Sequence, residues 1–479
     1  MSRCALVQEL PDRAYAASSF ELIKDRSFSF FLDGGMDEGK LGRYSFIGCD
    51  PFLVLKSTGR RVSISYRGRL ECVDADPFDV LRSLLLRYSL DQPDSPVPFN
   101  CGAVGYFGYD LCHLVERLPS TAVDDIKLPE CCLCFYDVVV AFDQYEDRTY
   151  VVSTGFPELG EGDRLRRAGE RLTETLRLLK GARQEMQAGV FFERTRKRVR
   201  MCSNFTHQDY IKAVERAREY IIAGDIFQVN LSQRFEAELT VPPYELYRRL
   251  RVANPAPFAC YLGMDDVSVA GSSPERFLRV RGDVVETRPV KGTRPRGRNP
   301  VEDETMTREL VGSPKDRAEN VMIVDLERND LGRVCRFGSV NVTGLAALEK
   351  FPTVYHLTST VQGRLQPGKD RIDLLRATFP GGSVTGAPKV RSMEIIDELE
   401  PTRRGIYTGS IGYLGYSGEM DLNIVIRTFV IKGNKAYFQV GGGIVYDSKP
   451  KEEYQETMHK ANSLITALKV APRVVVEAA

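Results

Sequence analysis

The chain reads as an α+β protein with large sheets. Short β-prone runs separated by Gly, Asp or Pro recur along its length. Helical segments fall between them less regularly than in a doubly wound fold. No GxGxxG opens a helix after a strand and no GxxxxGK(S/T) loop is present, which argues against a dinucleotide or P-loop fold.

Residues 1–160 form a strand-rich unit. FSFFLDGG, YSFIGCDPFLVLKS and RVSISYRGRLECVDA read as strands with turn residues between them. Val80, Leu81, Leu84 and Leu85 predict a helix from Pro77 to about Tyr88. The small residues of CGAVGYFGYDLCHLVE let backbones approach closely. CCLCFYDVVVAFDQYEDRTYVVSTG reads as two strands joined by a charged turn. Residues 161–204 form a charged helical linker, with Leu165, Leu172, Leu176 and Leu179 on one face. The basic run from Arg194 to Arg200 has no aromatic platform beside it and reads as a solvated face. Residues 205–470 carry the unusual sequence. Tyr210, Val214, Ala217 and Ile221 mark a helix, followed by a Gly-Asp turn and a strand. AGSSPERFLRVRGDVVETRPVKGTRPRG reads as two strands and a glycine-broken loop. GIYTGSIGYLGYSGEMDLNIVIRTFVIKGNKAYFQVGGGIVYDS reads as strands with tight turns.

The 479 residues, 43% hydrophobic and 27% charged, are ample for a large core. A net charge of +1 gives no support to a nucleic-acid-binding surface. No apolar run is long enough for a membrane span. MSRCALVQELPDRAY lacks the plan of a signal peptide. Of eleven scattered cysteines, Cys131, Cys132 and Cys134 share a strand-like run, where they act as small hydrophobes without a second ligand pair for zinc. A reduced, cytoplasmic protein is expected.

Two segments place carboxylates three apart at a helix start. In SPKDRAENVMIVDLERND, Ser313 caps, Pro314 takes the first helical position and Asp316 closes a capping box. Asp316 and Glu319 share a face. In DSKPKEEYQETMHKANSLITAL, Ser448 and Pro450 begin a helix carrying Glu453 and Glu456. If both pairs face one cleft they need a cation, and oxygen ligands favour Mg²⁺. Acidic residues in a first turn otherwise only compensate the helix dipole.

Lys291, in RPVKGTRPRG, stands among Arg288, Arg294, Arg296 and Arg298. Their charge would lower its pKa and favour a nucleophilic amine; a solvated anion-binding loop is the plainer reading. FPGGSVTGAPK offers Gly381, Gly382, Ser383 and Thr385 before a helix from Pro388, an anion nest. Gly441, Gly442 and Gly443 are poor strand formers that suit close approach to a ligand. Arg427, inside a strand-like run, points outward or forks a carboxylate, with Tyr407 as a hydroxyl partner. None of His113, His207, His356 and His459 has a metal-ligand partner; His356 serves a pocket as an acid–base group or simply packs.

Taken in order, GDIFQVNLSQRF, GSSPERFL, RPVKGTRPRG, DRAENVMIVDLERNDLGRV, the His356 segment, PGGSVTGAPK, IYTGSIGY, the Arg427 strand, QVGGGIV and EYQETMHKA resemble the chorismate-utilising enzymes. The N-terminal YSFIGCDP and GYFGYD look like the accessory half of anthranilate synthase and aminodeoxychorismate synthase large subunits. The fold this implies is a large two-layer antiparallel β-sandwich surrounded by helices. Within the family, alanine at the position of Lys291 goes with anthranilate formation and lysine with aminodeoxychorismate formation. Gln228 stands where isochorismate- and salicylate-forming members carry a lysine that activates water, and it fits an ammonia-using member. The resemblance is closest to aminodeoxychorismate synthase component I, with anthranilate synthase component I as the alternative.

That resemblance implies the following roles. Glu319 and Glu456 hold Mg²⁺ directly, and Asp316 and Glu453 are outer carboxylates. The ion grips the ring carboxylate of chorismate. Arg427, Tyr407 and the backbone of Gly441, Gly442 and Gly443 hold the enolpyruvyl carboxylate. Lys460 adds positive charge, and Gln228, Thr293 and Ser383 line the substrate site. Lys291 adds to C2, Glu275 protonates the departing C4 hydroxyl, and His356 assists proton traffic. The product implied is 4-amino-4-deoxychorismate, for 4-aminobenzoate and folate synthesis. No glutaminase signature is visible, so a separate glutamine amidotransferase subunit is expected to supply ammonia, and a separate lyase to remove pyruvate.

Overall fold

Adjacent residues of the strands Phe30–Asp33, Tyr44–Gly48 and Val138–Asp143 go to opposite faces of one sheet, as the strand period of two requires. Phe30, Phe46, Val139 and Ala141 turn into a core shared with Leu55, Val104, Phe107 and Leu133 of a second sheet. Phe31, Ile47, Val138 and Val140 turn the other way, onto a layer of helices. The computed structural model, which describes residues 3–11, 14–34, 40–91, 95–180, 191–194, 199–351 and 354–473, is an antiparallel two-sheet β-sandwich surrounded by helices.

The first sheet runs, in spatial order, Leu6–Glu9, Arg148–Ser153, Val138–Asp143, Tyr44–Gly48, Phe30–Asp33, Phe258–Met264, Val267–Ser273, Thr428–Lys432, Lys435–Ile444, Gln228–Glu238 and Met201–Ser203. The second runs Val290–Pro295, Val354–Arg364, Val284–Arg288, Arg276–Arg281, Met420–Asn423, Ser410–Gly415, Gly102–Phe107, Cys131–Tyr136, Leu53–Thr58, Arg61–Tyr66 and Arg69–Asp74. Both sheets join strands from before residue 161 to strands from after residue 204. Phe31 faces Tyr261 across one such seam, and Tyr106 faces Ile411 across the other.

The Pro77–Arg87 helix is capped by Asp76 and buries Leu81 and Leu85. Cys131, Cys132 and Cys134 are buried free thiols in the shared core. The expected helical linker over 161–204 is helical only in Glu161–Lys180; Phe191–Arg194 and Met201–Ser203 are strands, the latter at the edge of the first sheet, and the helix face also differs. In the Glu161–Lys180 helix, Leu172, Leu176 and Leu179 pack on the first sheet, but Leu165 is 41% exposed. Arg164 takes the inward position at 3% exposure because its guanidinium donates to the Thr154 carbonyl at 3.0 Å. Arg167 and Arg171 of the same helix hold the buried Asp137 carboxylate at 3.0 and 3.3 Å. The linker residues 181–190 and 195–198 lie outside the described ones. Among the described residues no helix is long and apolar enough to cross a membrane.

Candidate active site

Local signals start the two acidic helices where expected. Ser313 Oγ accepts from the Asp316 N–H at 3.2 Å and opens the Pro314–Gly332 helix. The reciprocal half of the capping box is replaced: the Ser313 N–H goes to the Leu310 carbonyl, and the Asp316 carboxylate accepts from Arg294 Nη2 at 3.0 Å. Pro450 opens the Pro450–Lys469 helix, and Ser448 bonds the Glu453 carboxyl.

These helices turn their carboxylates toward one another. Burial raises the pKa of Glu319, against the pull of Lys291 and Lys315 and with the help of Asp316 and Glu456. Burial likewise raises Glu453, against its bond to Ser448. Glu456 goes the other way, because Lys460 Nζ sits 2.7 Å from its Oε1. Lys460 also donates to the Gly441 carbonyl at 2.9 Å.

Among the described residues, no group of three or more His, Cys, Asp or Glu stands close enough to hold an ion as the side chains are placed. The residues nonetheless suit a small hard cation. The donors are all carboxylate oxygens, and burial and mutual repulsion raise two of them. Gly442 leaves the ground beside them open: a Cβ there would lie 3.4 Å from Glu453 Oε2 and 3.5 Å from Glu456 Oε1.

Lys291 reaches the same place from the second sheet. Gly292, at φ +81°, lies at a bulge between Lys291 and Thr293 in the pairing with Val354–Arg364. Lys291 Nζ donates to the Ser383 carbonyl at 3.0 Å. Burial lowers its pKa; Glu319, Glu275 and Glu456 oppose that, and Lys460 adds to it. The arginines nearest in sequence are not the cause. Arg288 pairs with Glu349, Arg294 with Asp316 and Arg296 with Asp303.

Glu275 is buried, and its Oε1 accepts from the Val290 N–H at 3.2 Å. Burial raises its pKa, against bonds from Ser383 and Val290 and the charge of Lys291. Ser383 therefore touches both groups, its carbonyl bonding Lys291 and its side chain bonding Glu275.

His356 lies directly across the ladder from Thr293, whose Oγ1 is 2.8 Å from Nδ1. The ring is 1% exposed, and burial together with Arg427 pushes its pKa down to about 3. It is a neutral imidazole at physiological pH, which limits any part it plays as an acid.

The glycine triplet lies inside the Lys435–Ile444 strand, opposite Ser232, Leu231 and Asn230. A Cβ on Gly441 would lie 2.6 Å from the Leu231 carbonyl oxygen, and one on Gly443 would lie 2.1 Å from Gln228 Nε2. Gln228 is thus folded against Gly443, buried, with Oε1 unpartnered. Arg427 also departs from expectation. It lies just outside the Thr428–Lys432 strand in left-handed backbone, φ +50°. Its Nη1 donates to Asn254 Oδ1 at 2.9 Å, and burial lowers its pKa to about 10. Tyr407 is buried on the adjoining turn, where the Thr408 N–H bonds the Val425 carbonyl at 2.8 Å.

Reading the sequence missed Asn254, which holds Arg427, and the buried Glu327, Asp330 and Lys389 behind Ser383. Lys389 stood in the quoted PGGSVTGAPK segment; Glu327 and Asp330 carried no signal separable from an ordinary helix face.

The two-sheet sandwich thus brings together a cluster of carboxylates, one half-buried amine and a half-buried arginine. Residues 40–466 match the family of chorismate binding enzymes, and the chain belongs to that family. It is a component-I-type enzyme of the anthranilate and aminodeoxychorismate synthase group. It is 39% identical to aminodeoxychorismate synthase component 1 of Bacillus subtilis, over 91% of each chain. It is 41% identical to anthranilate synthase component 1 of Thermus thermophilus, over 97% of this chain and 96% of that one. The crystal structure of anthranilate synthase component I from Streptococcus pneumoniae TIGR4 superposes with a TM-score of 0.76 at 35% identity, covering 90% of this chain and 94% of that one.

Proposed function

We propose that the protein aminates chorismate at C4, giving 4-amino-4-deoxychorismate. The observation that carries this reading is Lys291: a half-buried amine, lowered in pKa, among Glu275, Glu319 and Glu456. Glu319 and Glu456, with Asp316 and Glu453 around them, would hold Mg²⁺. The ion would supply positive charge for the ring carboxylate of chorismate, which those carboxylates alone repel. Arg427, which has no ion pair among the described residues, would take the enolpyruvyl carboxylate, and Tyr407, whose ring lies under Arg404, would join it.

The Lys291 amine adds to C2. The ring double bonds shift and the C4–O bond breaks, with Glu275 giving its proton so that water leaves. Ammonia adds to C4, the double bonds shift back, and the C2–N bond to Lys291 breaks. The surplus proton on the new C4 amine returns to Glu275. The raised pKa of Glu275 suits a group that must hold its proton between turnovers. A glutamine amidotransferase subunit would supply the ammonia, and a separate lyase would take the product to 4-aminobenzoate.

Overall similarity favours a second reading, anthranilate formation with loss of pyruvate. The Thermus thermophilus anthranilate synthase is 41% identical, against 39% for the Bacillus subtilis aminodeoxychorismate synthase. Position 291 favours the first. Incubation with chorismate, Mg²⁺ and ammonium, with and without purified aminodeoxychorismate lyase, separates them. A fluorescent aromatic product formed without lyase overturns the C4 reading; a product that becomes 4-aminobenzoate only with lyase supports it.

A further inference from the structure

Behind Ser383 lies a buried cluster of titratable side chains that the proposed reaction does not use. Glu327 and Asp330 are 2% and 4% exposed and stand on the Pro314–Gly332 helix, beyond Glu319. Lys389 pairs with Asp330 and donates to the Thr378 carbonyl at 2.8 Å. Glu327 accepts from the Gly382 N–H. It also accepts from Thr287 Oγ1 at 3.4 Å. Thr287 belongs to Val284–Arg288, the strand that leads into Lys291.

We propose that Glu327 is a positioning residue for the amine of Lys291, joining the strand that leads into the lysine to the turn that receives its amine. Its one carboxyl binds the backbone beside Ser383 on one side and Thr287 on the other. Lys291, three residues past the end of that strand, reaches the same turn through the bond of its Nζ to the Ser383 carbonyl. The contact is close: a Cβ on Gly382 would lie 2.6 Å from Leu326 Cδ2 and 3.2 Å from Glu327 Oε1, so the turn rests directly on the helix. Lys389, at the far end of the 378–389 segment, ties that segment to the same helix through Asp330. The helix therefore registers two things at once, Glu319 at its start and the resting place of the amine near its end. Burial and Asp330 push the Glu327 carboxyl up to about 8, so it keeps a proton near neutral pH and glutamine is a close mimic.

The inference rests on Lys291 as the reacting amine, but its test is read on the resting protein. Lys291 is labelled with a limiting amine-reactive reagent between pH 7 and 10, and the extent is measured by peptide mass. Glu327→Gln should keep the labelling curve of the parent. Glu327→Leu, which cannot accept from Gly382, should let water reach the amine and move the curve toward the ordinary lysine range. Labelling at pH 8 should then fall about tenfold for each unit moved. In turnover, Glu327→Leu should lose about tenfold in kcat with KM for chorismate within threefold, and Glu327→Gln should retain both. If Glu327→Leu does not fold, Gly382→Ala lifts the same turn from Leu326 and should displace the labelling curve in the same direction. A parent-like curve in the folded Leu variant or in Gly382→Ala overturns the proposal. So does a Gln variant that shifts as far as Leu. Failure of the parent to aminate chorismate would defeat the proposed reaction and leave the labelling result standing.

Discussion

Replacing Lys291 by methionine keeps most of the side chain's unbranched length and removes its amine. An ordinary lysine with a pKa of about 10.4 offers about one free amine in a thousand at pH 7.4, and burial moves Lys291 toward a larger fraction. On the proposed route, nothing then occupies C2. Formation of the 4-amino product should fall on the order of a thousandfold, about 4 kcal/mol in barrier height, and ammonia gains access to C2. A second effect is electrostatic. Lys291 lowers the pKa of both Glu319 and Glu456. A unit charge acting through an effective dielectric near 20 contributes on the order of 4 kcal/mol at contact. Greater separation and the 48% exposure of the Glu456 side chain reduce this to about 1 kcal/mol. Mg²⁺ should therefore bind Lys291→Met roughly fivefold more tightly than the parent. Mass analysis of quenched reactions reads the first effect, including a ring adduct on Lys291 in the parent. Calorimetric titration with Mg²⁺ reads the second. A variant within tenfold of the parent in 4-amino product refutes the covalent role; weaker Mg²⁺ binding refutes the charge argument.

Gly442→Val should fill the ground between Glu453 and Glu456, where a Cβ already stands at ordinary contact distance. The expected result is a weaker response to Mg²⁺ with a thermal midpoint close to the parent's; undiminished Mg²⁺ affinity would count against the assigned carboxylates. Glu275 must be protonated to act, and its pKa is raised, so its acid form is full below the folded pKa and lost as pH rises through it. The alkaline limb of kcat against pH should vanish in the residual activity of Glu275→Gln, and an unchanged limb there would assign it elsewhere. His356 is depressed to about 3, so its stabilising contribution is present above the unfolded pKa of about 6.5 and fades as pH falls. At pH 5 the loss is about 2 kcal/mol, and His356→Asn should flatten that part of the stability curve, measured by urea unfolding. Asp137→Ala should lower stability by about 3 kcal/mol, because it leaves Arg167 and Arg171 facing a buried site without their carboxylate. A midpoint unchanged in urea would show that water replaces the pair without cost.

The strands were legible because β-prone runs and the turn residues between them are local signals: FSFFLDGG and YSFIGCDPFLVLKS announce strands without reference to anything distant. Which strands become neighbours was not, since the pairing of Phe31 with Tyr261 depends on contacts far apart in sequence. The two helix starts at Ser313 and Pro450 were readable for the same local reason. The environment of Lys291 was misjudged because charge is a tertiary quantity. The arginines beside it in sequence spend their charge on Glu349, Asp316 and Asp303, while burial and Lys460 act on it. Gly441 is required where the Leu231 carbonyl oxygen would stand 2.6 Å from a Cβ, and Gly443 makes room for the Gln228 amide, needs that strand propensity does not reveal. Glu327 escaped notice because a carboxylate on a helix looks the same in sequence whether it meets water or lies beneath a turn.

The interleaving of the two sheets has a consequence for synthesis. Thr428–Lys432 and Lys435–Ile444 sit in the middle of the first sheet, between Val267–Ser273 and Gln228–Glu238. Until the ribosome delivers them, both earlier strands present an open hydrogen-bonding edge to other chains. The first sheet cannot close until Lys435–Ile444 has emerged, so the nascent chain stays unfinished and prone to association until then.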